Sequence, residues 1–362
     1  MIQIDQLLTL VVDRKASDLH LRVPSPPVFR IDGSLERQED MPDLTPEDIQ
    51  GVFETITTQE QKDTFLRELE LDFAYSIPGI ARFRVSVLRQ RGTLSIAFRL
   101  VPLRVLTIDE LELPQICKNL VLKPRGLILV TGPTGSGKST SLAAMINHLN
   151  ENDERNVITI EDPIEFLHSN KKCIIAQRDL GDDTRSFAGA LIHALRHDPD
   201  VIVLGEMRDL DTIATAITAA ETGHLVFGTL HTTDAAQTVD RVIDIFPPSQ
   251  QPQIRLQLSQ VIEAVLSQAL LPRIGGGRVA AIEILTATYA VRNLIREGKT
   301  FQLSSLMQVG SKDSMQTLDQ ALAELVRNRT INLEDAMMTT SNPEQLNRSL
   351  GSANGIAYAS QY

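Results

Sequence analysis

Apolar positions recur at two periods along this chain, and the change of period divides it. Ile4, Leu7, Leu8, Val11 and Val12 follow helical spacing and predict an amphipathic helix. Extended stretches follow at Asp18–Val23 and Val28–Ile31, the second closed by a turn at Asp32-Gly33. Ala81–Leu88 and Thr93–Leu100 alternate strictly, with Arg91-Gly92 between them, and predict a hairpin. One face of it carries Phe83, Val85, Val87, Leu94, Ile96, Phe98 and Leu100, and the other carries Arg82, Arg84 and Arg99. That arginine face is either ordinary solvated surface or a contact for an anion. Residues 1–100 therefore read as an α+β domain.

Residues 101–114, with Pro102, the stretch Leu106–Leu113 and Pro114, read as a linker. From Gly126 the pattern becomes α/β. Apolar runs at Leu127–Val130, Val157–Ile160, Val201–Leu204, Leu225–Phe227 and Val279–Leu285 are separated by long helical segments, the signature of a parallel sheet covered on both faces. This core spans 115–288. A helical region, 289–350, follows with a stripe at Leu318, Leu322 and Leu325, and 351–362, rich in Gly, Ser, Ala and Asn, reads as a disordered tail.

Composition narrows the function classes. With 362 residues, 42% of them hydrophobic, the chain has material for two domains. No window approaches the roughly 18 apolar residues of a membrane span, and the charged N-terminus lacks a signal-peptide layout, so a cytoplasmic protein is expected. Cys117 and Cys173 lie far apart and read as reduced, buried thiols. A formal charge of −11 and the absence of tryptophan argue against a nucleic-acid partner.

The chemistry starts at Gly132-Pro133-Thr134-Gly135-Ser136-Gly137-Lys138-Ser139, a complete P-loop, with Thr140 following it on the helix. Its glycines let the backbone turn tightly and aim successive N–H groups at phosphate oxygens. Lys138 brings positive charge to the β- and γ-phosphates of ATP, and the Ser139 hydroxyl suits Mg²⁺. The motif follows an apolar strand and opens a helix, as a phosphate site requires. Asp200–Leu204 is a second apolar strand, and it ends in Gly205-Glu206 where an Asp-Glu pair is usual. Glu206 is thus a candidate both for the metal and for orienting the attacking water. Glu161, Asp162 and Glu165 form a further acidic box after the strand Val157–Ile160, Asp162-Pro163 also reading as a turn and helix N-cap. His224 and His231 bracket Leu225–Leu230. His224 reads as structural, and His231, at the strand's far end before Thr232, reads equally as structural or as a γ-phosphate sensor.

These four boxes together resemble the secretion ATPase superfamily of type II secretion and type IV pili. The resemblance covers nearly the whole chain, through Ser17-Asp-Leu-His-Leu21, Arg30-Ile-Asp-Gly33 and Ala290–Lys299, the last similar to a signature of the PilT-like retraction branch. It implies a PAS-like N-terminal α+β domain and a RecA-like ATPase domain with a mainly parallel sheet. It makes Glu206 the catalytic glutamate, Glu165 a second active-site acid and His231 a phosphate contact. It makes Arg82, Arg84 and Arg99 candidates to reach nucleotide in or across subunits. Ser86 departs from the Asn usual there in the family. It further implies a homohexamer on the cytoplasmic face of the inner membrane, docked on a pilus platform protein, with an accessory retraction ATPase as an optional partner. Pilus retraction and twitching motility are the expected output. The alternatives are an assembly or accessory ATPase, a nucleotide-binding regulator without turnover, and a DNA-translocating ring. Arg292–Lys299 is expected to be exposed enough to transmit force.

Overall fold

The computed structural model describes residues 3–31, 33–102 and 104–351. The chain forms two compact units, one of residues 1–104 with 165–167, the other of 105–164 with 168–362. Asp32 of the expected turn and residues 352–362 of the expected tail lie outside the described residues; Gly351 closes the last helix.

The N-terminal unit runs α1 (Ile4–Asp13), β1 (Asp18–Arg22), β2 (Val28–Ile31), β3 (Ser34–Arg37), α2 (Pro46–Ile56), α3 (Gln59–Glu68), β4 (Glu70–Ile77), β5 (Ala81–Gln90) and β6 (Thr93–Val101). Its six strands form an antiparallel sheet in the order β3-β2-β1-β6-β5-β4. Ile4, Leu7, Leu8 and Val11 of α1 pack in one core with Val52, Phe53, Phe65, Phe83, Val85, Ile96 and Phe98. Phe83 and Phe98 meet edge to face at 6.4 Å. Capping boxes at Thr45/Asp48 and Thr58/Gln61 fix the starts of α2 and α3.

The second unit runs α4 (Ile116–Val121), β7 (Gly126–Thr131), α5 (Lys138–Asn152), β8 (Asn156–Glu161), β9 (Ile174–Asp179), α6 (Phe187–Ala194), β10 (Val201–Leu204), α7 (Leu210–Glu221), β11 (Leu225–Leu230), α8 (Ala235–Asp244), α9 (Gln251–Val261), β12 (Ile262–Pro272), β13 (Arg278–Thr286), α10 (Tyr289–Arg296), α11 (Leu303–Val309), α12 (Leu318–Arg327), α13 (Leu333–Thr339) and α14 (Pro343–Gly351). Its sheet has the order β13-β12-β7-β11-β10-β8-β9. All neighbours are parallel except β12 and β13. Alternate residues feed two cores: Leu127, Leu129, Ile202 and Val226 pack with α7, α8 and α9, and Ile128, Val130, Val203 and Phe227 pack with α4 and α5.

Two expectations change. The run Val279–Leu285 is a strand, but it returns antiparallel along β12, so the sheet is parallel over six strands and not throughout. The stretch read as a linker ends in structure of the second unit, because Ile108 and Leu113 are buried in its core with Leu120 and Leu149. Both cysteines are buried and free.

Phe98→Ala should cost the N-terminal unit about 3–5 kcal/mol, since it empties a fully buried ring position. Arg84→Ala, on the opposite face of the same hairpin, should change stability by less than about 0.5 kcal/mol. Urea unfolding followed on both variants checks the pair.

Candidate nucleotide site

Parallel pairing sets the site. β7, β11, β10 and β8 lie side by side and run the same way, so their carboxyl ends share one edge of the sheet, where ligands of open α/β sheets bind. That edge receives the P-loop after β7, Glu161 at the end of β8, Glu206 after β10 and His231 after β11.

The P-loop leaves β7 at Gly132, where φ is +141°; a Cβ there would stand 2.3 Å from the Gln268 carbonyl oxygen. Only glycine fits so close to β12. Gly137, at φ +89°, turns the chain into α5. Gln268, buried on β12, holds the loop by its side chain. Its Nε2 donates to the Ser136 carbonyl at 2.7 Å and its Oε1 accepts from Ser141 Oγ at 2.8 Å. The Lys138 ammonium donates to the carbonyls of Gly132 and Pro133 at 2.7 and 3.1 Å, and so lies along the loop. The Ser136 hydroxyl is buried without a hydrogen-bond partner among the described residues. A buried hydroxyl of this kind, a glycine cradle and an ammonium fit a polyphosphate. Ser139 and Thr140 are half-buried in the first turn of α5.

Gly205 stands where an aspartate is usual, close against the end of β8. A Cβ at 205 would lie 3.1 Å from Glu161 Cα and 3.2 Å from the Ile160 carbonyl, to which the Gly205 N–H donates at 2.7 Å. A side chain there would be tightly placed, and the neighbouring strand end would have to give by a few tenths of an ångström. One residue on, the Glu206 carboxylate meets His231 Nε2 at 3.0 Å and the Arg208 guanidinium at 2.5 Å. Burial alone would push the Glu206 carboxyl up; the hydrogen bond from Arg208 and the charges of His231 and Arg208 more than offset it and hold the group below the usual carboxylate range. Glu206, Arg208, His231, Thr232, Gln237 and Arg241 line a cavity of about 360 Å³.

Glu206 and His231 are thus brought together. Glu165 is exposed, falls in the segment grouped with the N-terminal unit, and does not line this cavity; no helix follows Asp162-Pro163. Glu161 instead accepts from Thr159 Oγ1 at 2.6 Å and Gln177 Nε2 at 3.1 Å. His224 shares a hydrogen bond with the Ala219 carbonyl at 2.9 Å, a local structural role. Arg82, Arg84 and Arg99 belong to the N-terminal unit and share its polar face, Arg84 directly opposite Arg99. Arg99 Nε donates to the buried carboxylate of Asp18 at 2.8 Å. Ser86 is exposed on the same face. The expected exposure of Arg292–Lys299 holds only for its last four residues. Ile295 is fully buried, and Arg292 is turned inward to the carbonyls of Ser259 and Gln260 and to Glu263 at 2.7 Å. Arg208, Arg241 and Gln268 escape a reading by motif. The only signal for Arg208 is its place two residues beyond Glu206.

Residues 1–277 match the family described as Type II/IV secretion system protein. The chain belongs to that family of secretion ATPases. It is 49% identical over 341 residues to the type IV pilus retraction ATPase PilT of Pseudomonas aeruginosa, covering 94% of this chain and 99% of that one. It is 49% identical over 321 residues to the twitching motility protein of Neisseria gonorrhoeae, covering 88% and 86%. The crystal structure of the pilus retraction motor PilT with bound ADP matches with a TM-score of 0.90 at 46% identity, over 96% of this chain and 100% of that one. The chain is therefore PilT-like within the secretion ATPases. Among the described residues no helix is long and apolar enough to cross a membrane, and no cluster of three His, Cys, Asp or Glu side chains forms a metal site.

Because Arg208 lowers the Glu206 pKa, the stability of this ion pair is present above the ordinary carboxylate range and is lost as pH falls through the depressed value. Arg208→Ala should move the Glu206 titration to higher pH. The guanidinium is largely exposed, so added salt should narrow the difference. Carbon-detected NMR titration of both proteins checks it, and identical midpoints would dismiss the pair as the cause.

Proposed function

We propose that this chain is an ATP-hydrolysing motor that powers type IV pilus retraction. The observation that carries the proposal is a complete P-loop on the same sheet edge as the 3.0 Å Glu206–His231 pair. In this reading the loop amides and Lys138 bind the phosphates, and Lys138 exchanges its carbonyl partners for phosphate oxygens. Glu206, kept ionised by its neighbours, accepts a hydrogen bond from the attacking water and aligns it with the γ-phosphorus. His231 fixes the carboxylate's orientation and reports the phosphate to Thr232 and α8. Ser139 and Glu206 are the side chains that would hold Mg²⁺. Such an ion, when bound, neutralises charge on the phosphate oxygens.

The finer assignments rest on the family. The N-terminal unit is PAS-like, its antiparallel sheet covered by α1–α3, and the second is RecA-like. Arg82, Arg84 and Arg99 are nucleotide contacts, in the same chain or from a neighbouring subunit, and Glu165 is a second active-site acid. The working form is a homohexamer on the cytoplasmic side of the inner membrane, seated on a pilus platform protein.

Glu206→Gln should retain ATP binding while turnover falls at least about a hundredfold, the contribution of a positioned base. Phosphate release and calorimetry on the same preparation test this, and near-normal turnover would remove Glu206 from the chemistry. In the cell, deletion of the gene should leave excess pili that do not retract; loss of pili would identify an assembly ATPase.

A further inference from the structure

A carboxylate that the phosphate chemistry does not use lies close behind the site. Glu283, on β13, is 7% exposed. Its Oε1 accepts the Ala235 N–H at 2.8 Å, and its Oε2 accepts the Leu318 N–H at 3.3 Å. These are the first residues of α8 and α12. First-turn N–H groups have no partner within their own helix and carry the positive end of its dipole, so one carboxylate holds two helix starts. α8 begins four residues after His231 and lines the Glu206 cavity through Gln237 and Arg241. α12 packs in the C-terminal core with Leu271 and Val279.

A buried polar layer continues from Glu283 toward the P-loop. Its cross-strand neighbour is Ser267, whose hydroxyl accepts from Thr131 at 2.8 Å. Thr131 is the last residue of β7, next to Gly132. Thr238 of α8 lies 3.4 Å from the Thr131 hydroxyl and 2.7 Å from that of Thr232, and donates to the Asp234 carbonyl at 2.7 Å. Burial pushes the Glu283 carboxyl up, the two N–H bonds pull it down, and Asp234 and Asp319 push it up again. In low dielectric such a layer holds fixed geometry, because each broken bond leaves a buried group unpaired.

We propose that Glu283 is a positioning residue that ties the His231–Thr233 segment, through the start of α8, to the start of α12, so that nucleotide bound at the P-loop is felt by the C-terminal helices. The inference rests on the nucleotide reading above. Backbone hydrogen exchange in residues 317–327 of the full chain, with and without ADP and Mg²⁺, tests it. In the unmodified protein ADP should slow exchange there by about tenfold. In Glu283→Gln the side-chain carbonyl satisfies one N–H while the amide faces the other, so the slowing should drop below about twofold with ADP affinity kept within about threefold. Leu318→Pro leaves Glu283 intact and removes the α12 donor, along with a half-buried leucine side chain of the C-terminal core. Proline is favoured at a first helical position, and Thr317 before it is already extended at ψ 162°. It should lose the response in the same way. Full slowing in either variant, or none in an unmodified protein that binds ADP, would overturn the coupling. Failure of the unmodified protein to bind ADP would overturn the nucleotide reading first.

Discussion

Parallel pairing of β7, β11, β10 and β8 is the constraint on which the rest of the site depends. It brings four loop starts to one edge, and the distances between those loops then follow from strand spacing. The spacing leaves little room at the strand ends: Gly132 meets the Gln268 carbonyl so closely that only glycine fits, and Gly205 lies tightly against Glu161. A single carboxylate, Glu206, stands where two acids are common. Its environment compensates. Arg208 and His231 hold its pKa down despite partial burial, which favours the ionised form.

The second feature is the polar layer on the β12 side. Gln268, Ser267, Thr131 and Glu283, on neighbouring strands, are buried together with Thr238 of α8. Unpaired, each would be costly; paired, they fix the P-loop and α8 to the same two strands. The antiparallel return of β13 is what places Glu283 there. The β12–β13 hairpin is therefore more than an edge of the sheet: it carries the groups that hold the phosphate loop from behind.

What was legible in the sequence was whatever repeats or needs special backbone. The P-loop follows from glycine spacing, and β7, β8, β10 and β11 from short apolar runs. The hairpin of β5 and β6 follows from strict alternation, which its register bears out residue by residue. β12 was hidden because Ser267 and Gln268 interrupt its apolar run, and those are the residues that serve the site. β9 was hidden as a half-exposed edge strand beginning at exposed Ile174. α2 and α3 had signals in Thr45/Asp48 and Thr58/Gln61 that periodicity alone does not weigh. The Glu206–His231 contact joins loops 25 positions apart and depends on strand order, which spacing does not give.

The most direct test of the account is a structure of the assembled chain with ADP and Mg²⁺. The diphosphate is expected within Gly132–Ser139, with the Lys138 ammonium moved from the Gly132 and Pro133 carbonyls onto phosphate oxygens. Glu206 and His231 are expected to stay paired on the adjoining edge, facing the place of the γ-phosphate. Nucleotide bound elsewhere, or within the loop while Lys138 still donates to both carbonyls, would contradict it.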